Sequence, residues 1–237
     1  MKSTLFLSAA VATALLTACG DNKSTTESTT TSTEASTTAP TDSAKMDAMS
    51  APDNSSSAAT GSLTGAMAKM MQQMNGGKPI GNMDHDFAHM MMAHHQGAVD
   101  MSEIEPRDGK DATLSALAQK IIADQKKEIA DLDKVAERLD NGGKNYTPKD
   151  PNDKFQARLD QGMKTMMKPM TPSSDVNMDY AMMMVEHHRS AVQMAEAEVA
   201  MGKDPELKKM AQQMIDAQTK EIQQFNDWMG KSVNMKM

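Results

Sequence analysis

Between Leu114 and Leu139 the apolar residues Leu114, Leu117, Ala118, Ile121, Ile122, Ile129, Leu132 and Leu139 keep a helical period amid Lys, Asp and Glu. The pattern predicts one long amphipathic helix, started by Asp111 as N-cap and ended by Gly142-Gly143. On a helical wheel, Phe87, Met90, Met91, Ala98, Met101 and Glu105 fall within about 60° of His94. That stripe predicts a preceding helix from about Asp84 to Glu105, stopped by Pro106-Arg107-Asp108-Gly109. The same two signals return over residues 177–201 and 204–229, with the stripe Tyr180, Met183, Met184, His187, Ala191, Met194 and Glu198. Met-rich segments at 65–75 and 157–168 read as shorter helices beside them. No strong strand signal appears. Neither hairpin can bury its apolar face alone, so the expected architecture is all-α, a four-helix bundle built from two αα-hairpins.

The two halves are copies. Shifted by 93 positions, residues 84–132 align without gaps on 177–225 with 22 identities in 49. The pairs include Asp86 with Asp179, His94-His95 with His187-His188, and Gln125, Glu128, Ile129 with Gln218, Glu221, Ile222. Upstream, Met67-x-x-Met70-Met71-x-x-Met74 recurs as Met163-x-x-Met166-Met167-x-x-Met170. A duplicated domain over 63–237, with repeats at about 63–141 and 155–230, is expected.

The first sixty residues differ in kind. Lys2, an apolar run from Leu5 to Leu16 and Thr17-Ala18 have the order of an export signal over 1–18, too short to span a bilayer. Cys19, the one cysteine, follows at once and cannot build an intramolecular disulfide. The segment looks like a lipoprotein signal with Cys19 acylated, and Gly20 resembles lipoproteins passed to an outer membrane. Residues 24–39 hold twelve Ser or Thr, so 19–62 is expected to be a disordered tether. The expected place is therefore the periplasmic side of an envelope membrane, with the anchor at Cys19.

Charge and composition narrow the chemistry. A formal charge of −7, one unit more negative without Lys2, disfavours a nucleic-acid partner. Only seven residues are aromatic, whereas 27 are Met, so either Met packs the core or its sulfur is wanted. The paired histidines, with thioethers three and four residues before them, present nitrogen and sulfur donors on preformed helix. Imidazole with thioether selects Cu(I), with Ag(I) as its mimic, while imidazole alone also takes Cu(II) or Zn(II). The candidate ligands are Met90, Met91, His94, His95, Met101, Met183, Met184, His187, His188 and Met194. The bland alternative is that the same stripe is core. A loop centred near Asp108 would set Ile122 level with His94 and Gln125 opposite Met91, where the amide could orient an imidazole or simply meet water. On the other side of the first helix, His85, His89 and Met92 read by default as a solvated surface, with an additional metal set suited to a divalent ion as the alternative. The Met67–Met74 and Met163–Met170 clusters are sulfur-only sites or apolar helix faces. Paired Glu-x-x-His motifs, H-E-x-x-H, a phosphate loop and C-x-x-C-H are all missing, so catalysis has little support.

The pattern Asp-x4-Met-x2-His-His-x2-Ala-x2-Met, present as Asp86, Met91, His94, His95, Ala98, Met101 and as Asp179, Met184, His187, His188, Ala191, Met194, resembles the bacterial domain-of-unknown-function family numbered 305. Gln125, Glu128, Ile129, their second copies and Trp228 extend the likeness over roughly 80–230, although Val135 stands where the second repeat has Trp228. The resemblance implies exported proteins with a ferritin-like four-helix arrangement and, from copper-binding periplasmic members, copper held by His and Met. The expected function is that of an extracytoplasmic lipoprotein, not an enzyme, that sequesters or carries copper, Cu(I) above Cu(II) or Ag(I), and hands it to a delivery partner. Its binding should weaken as pH falls toward 5, because a ligand imidazole must be neutral. The rivals are an interaction lipoprotein with a Met-rich core and a metal-dependent oxidoreductase.

Overall fold

A computed structural model of the chain describes residues 62–235. The expected export signal, Cys19 and all of the expected tether before Ser62 lie outside the described residues. Six helices follow in order: α1 (Leu63–Gly76), α2 (Met83–Asp108), α3 (Ala112–Leu139), α4 (Lys154–Met166), α5 (Val176–Met201) and α6 (Pro205–Met235). There is no strand among the described residues. The hairpins α2–α3 and α5–α6 pack through α2 and α5, α1 lies along α2, and α4 lies along α5. The all-α expectation of four long helices and two short ones holds.

Local chemistry sets the boundaries. Asp111 accepts from Thr113 N and Leu114 N, both at 2.9 Å, and starts α3 where its N-cap was expected. Asn82, Asp153 and Asp175 cap α2, α4 and α5 in the same way. α2 runs through Pro106 to Asp108, beyond the expected stop at Glu105. A proline in the last turn costs the helix a single amide donor, and Gly109 N still closes onto Glu105 O at 2.7 Å. α6 likewise continues past residue 229 to Met235. The longer α2 centres the loop after Asp108 and shifts the hairpin register along α3. Glu128, not Ile122, therefore lies beside the His pair: His95 Nε2 is 2.8 Å from Glu128 Oε2.

The duplication becomes a pseudo-twofold arrangement. Asp84, on the first turn of α2, accepts from Lys203 N (2.6 Å) and Asp204 N (2.7 Å) in the loop of the second hairpin. Its counterpart Asn177 accepts from Lys110 N (3.0 Å) and Asp111 N (3.2 Å) in the loop of the first. Each repeat thus caps the other. The close approach of α1 to α2 needs a glycine: a Cβ on Gly97 would lie 2.3 Å from Met70 Sδ. Met70 is accordingly an apolar contact, 1% exposed.

The core is two clusters rather than one. Phe87, Met91, Leu132, Phe155, Met194 and Leu207 belong to the first, and Met101, Leu114, Ile121, Tyr180, Met184 and Phe225 to the second. On α2 the break falls between Met91 and Ala98, and on α5 between Val185 and Ala191. The residues at that level are His94, His95, His187 and His188, with Gln125 and Glu128 from α3 and Gln218 and Glu221 from α6. A polar layer crosses the middle of the bundle.

Candidate metal centre

All four paired histidines have no solvent exposure. His95 and His188, expected at the edge of the apolar stripe, are as buried as the inner pair because α3 and α6 cover them. The rings form a row: His95 to His94 6.5 Å between centroids, His94 to His187 3.8 Å, and His187 to His188 5.8 Å. The His pairs of the two repeats, read from the sequence as one cluster in each copy, come together across the pseudo-twofold axis.

Hydrogen bonding decides which nitrogens are free. His187 Nε2–H donates to the backbone oxygen of His94 at 3.0 Å, and His188 Nε2–H donates to Glu221 Oε2 at 3.0 Å. Glu128 Oε2 sits 2.8 Å from His95 Nε2, off the hydrogen-bond axis but close enough to favour the proton on that nitrogen. An acceptor at Nε2 puts the proton there and leaves the lone pair on Nδ1. The Nδ1 atoms of His94, His95, His187 and His188 are all buried without a hydrogen-bond partner, and so are His94 Nε2 and His95 Nε2. Burial, followed by the neighbouring imidazoles, holds the His94 and His187 pKa values well below the usual histidine range, so both rings are neutral donors at pH 7.

Glu128 and Glu221 are the orienting residues. Burial alone would raise the Glu221 pKa, but the hydrogen bond from His188 and contact with Lys120, whose Nζ is 2.9 Å from Glu221 Oε1, leave it below the ordinary value. Gln125 and Gln218, each 2% exposed, keep both side-chain polar atoms unpartnered. These two amides and two carboxylates line a cavity of about 120 Å³ between α3 and α6, bordered by Asp124, Lys127 and Ala217. The polar layer therefore reaches the surface at this seam, through Glu128, whose side chain is 26% exposed.

The thioethers divide between the two apolar clusters. Met91 and Met194 lie on one side of the layer, Met101, Met183 and Met184 on the other, all buried. Met91 and Met184 are one turn before His94 and His187, as the spacing requires. Met90 is half-buried, packs against the first apolar cluster and lines the cleft between α2 and α4. Elsewhere on α2, buried His85 and exposed His89 stand together, 4.4 Å between centroids, and the carboxylate that joins them is the exposed Asp140. Met92 packs against the first apolar cluster. Position 233, the repeat counterpart of Asp140, is Val, so the duplication gave no signal for Asp140. For Glu128 and Glu221 the signal was present, as an identical pair three residues after Gln125 and Gln218.

A model of the family described as "Domain of unknown function (DUF305)" matches residues 84–229. The chain belongs to that family. The match spans both His-His motifs and both orienting glutamates. Among solved structures, CopM in a silver-bound form is 26% identical, with TM-score 0.48, covering 62% of this chain and 95% of that one. CopM in the Cu(I)-bound form is 25% identical at TM-score 0.48, covering 62% and 96%. The Cu(II)-bound form is 25% identical at TM-score 0.47, covering 61% and 94%. No curated protein matches.

Proposed function

We propose that this protein binds copper, chiefly as Cu(I), in the buried histidine layer, and that it sequesters or carries the ion outside the cytoplasm as a lipoprotein anchored through Cys19. The observation that supports this most is the set of four buried, unpartnered Nδ1 atoms. Each buried polar atom left without a partner costs about 1–3 kcal/mol. A bundle built only for stability would fill this level with apolar side chains, as it does elsewhere. Neutral imidazoles with thioethers one turn away form a soft donor set, which suits Cu(I) and its mimic Ag(I) better than Mg(II) or Ca(II). Silver, Cu(I) and Cu(II) are the ions named in the CopM structures, which supports copper without choosing its oxidation state. Complete burial favours holding the ion over fast exchange, so transfer to a delivery protein would proceed through the α3–α6 seam.

The test is a Cu(I) competition titration of the full chain against a chromophoric chelator, beside a variant with His94, His95, His187 and His188 all changed to Ala. Tight binding lost in the variant supports the reading. Binding that survives moves copper to the Met clusters, and no binding in either favours the interaction lipoprotein. Oxygen uptake with Cu(I) would reveal an oxidoreductase.

A further inference from the structure

We propose that buried His85 and the exposed His89 and Asp140 form a second metal site, for a borderline divalent cation such as Cu(II) or Zn(II), between the N-terminal turns of α2 and the C-terminal end of α3. Each offers one donor atom, and the three donors lie within 4.8 Å of one another. His85 and His89 are a helical turn apart on α2, and Asp140 is the residue that ends α3.

The surroundings of His85 make this a built arrangement. Asp86 Oδ1 is 2.8 Å from His85 Nδ1, and that carboxylate is itself fixed by Ile80 N (2.9 Å), Gly81 N (2.8 Å) and the Tyr146 hydroxyl (2.9 Å). Gly81, at φ 89°, holds a backbone conformation few other residues adopt, and so turns its amide toward Asp86. With its Nδ1 proton committed to Asp86, His85 presents Nε2, the arrangement by which a carboxylate orients a metal-bound imidazole. Nε2 lies 3.2 Å from Asp140 Oδ1. A lone pair facing a carboxylate at that distance is repulsive unless a cation stands between them or a second proton sits on the ring. Two ligands held at ~2.0–2.1 Å by a tetrahedral ion are themselves separated by about 3.3 Å. His89 faces the same point, and the end of α3 adds the partial negative charge of its last carbonyls. Two imidazoles and a carboxylate, with no thiolate, suit a borderline divalent ion rather than Cu(I). The second repeat carries Met178, Met182 and Val233 at the matching positions, so the site is single. It is independent of the buried histidine layer and uses none of its residues.

The test is electron paramagnetic resonance of the full chain titrated aerobically with Cu(II), with Zn(II) calorimetry in parallel. The expected result is one equivalent of Cu(II) with hyperfine structure from two imidazole nitrogens. His89→Ala, at an exposed position and with its fold checked by circular dichroism, should abolish that signal. Asp140→Asn should weaken Zn(II) binding about tenfold or more, and Met92→Leu should leave both readouts unchanged. The same Cu(II) spectrum and stoichiometry in His89→Ala would overturn the assignment. So would the absence of Zn(II) and Cu(II) binding. Neither result bears on Cu(I) binding by the layer, which the competition titration reads separately.

Discussion

His94 and His187 occupy the same position in two repeats, yet their rings lie 3.8 Å apart and His187 Nε2 donates to the backbone oxygen of His94. Equivalent residues meet only where the pseudo-twofold axis passes, so the duplication itself assembles this centre. One copy supplies two imidazoles, and the second completes the layer and closes it from water.

Because His94 has neither ring nitrogen satisfied, the metal-free bundle is strained by its presence. Replacing His94 with Leu, close to it in volume, should raise the stability of the metal-free protein by about 1–3 kcal/mol. The same change should abolish the tightest Cu(I) binding. Denaturant unfolding checks the first outcome and chelator competition the second. A histidine kept for packing would give the opposite sign in the unfolding experiment.

The lowered pKa values of His94 and His187 fix a pH dependence. In the unfolded chain both rings take up protons as pH falls through about 6.5, while in the folded chain they do not until much lower. The unfolded state then binds more protons, so metal-free stability should fall as pH drops below 6.5 and be flat in this respect above it. Cu(I) affinity of the folded layer should change little between pH 7.5 and 6.5, since these two ligands are already neutral there. The weakening expected from ordinary histidines is thereby moved to lower pH. Unfolding curves from pH 5 to 8, with and without Cu(I), measure both.

Much of this was legible in the chain. Helical period, the 93-residue repeat and the Asp111 cap placed every long helix, and the doubled His-His pair marked the centre. Depth was harder to read. A helical wheel put His95 and His188 at the edge of the stripe because it considers one helix alone, and burial there comes from α3 and α6. The hairpin register shifted because Pro106 in a last turn does not stop a helix. Asp140 had no repeat and no spacing to mark it, since the contact joins two helices through a cap. Glu128 and Glu221 were visible as a repeated pair, but their role depends on that register.

The two repeats differ beneath their loops in one charge. Glu198 is buried and faces Asp84, and burial, then that carboxylate, push its pKa up to about 9. The matching Glu105 faces Asn177 instead. The folded state thus holds a proton on Glu198 that the unfolded chain releases above pH ~4.5, and its stability should decline as pH rises from there toward 9. Asp84→Asn copies the other repeat and keeps the oxygen that accepts from Lys203 N and Asp204 N. It should flatten that decline and stabilise the protein at pH 8 by on the order of 1–2 kcal/mol. An unchanged slope of stability against pH would show that Asp84 does not contribute to the shift and leave burial as its cause.

Glu128 and Glu221 hold the same position in the two repeats but not the same environment, and this separates entry from affinity. Glu221 is buried, bonded to His188 and contacted by Lys120, while Glu128 is partly exposed at the mouth of the α3–α6 cavity. Removing the charge of a carboxylate that orients a ligand imidazole lowers metal affinity about 10–100-fold. Glu221→Gln should therefore raise the Cu(I) Kd within that range, mainly through faster loss of the ion. Glu128→Gln should act chiefly on loading, because a solvent-facing carboxylate both attracts the cation and leads it to His95. Its loading rate should fall more than its affinity, and the fall should shrink at high salt, where the exposed charge is screened. Stopped-flow transfer from a Cu(I)–chelator complex at two ionic strengths distinguishes them. Equal effects of both substitutions on loading and release would mean that the ion enters by another route.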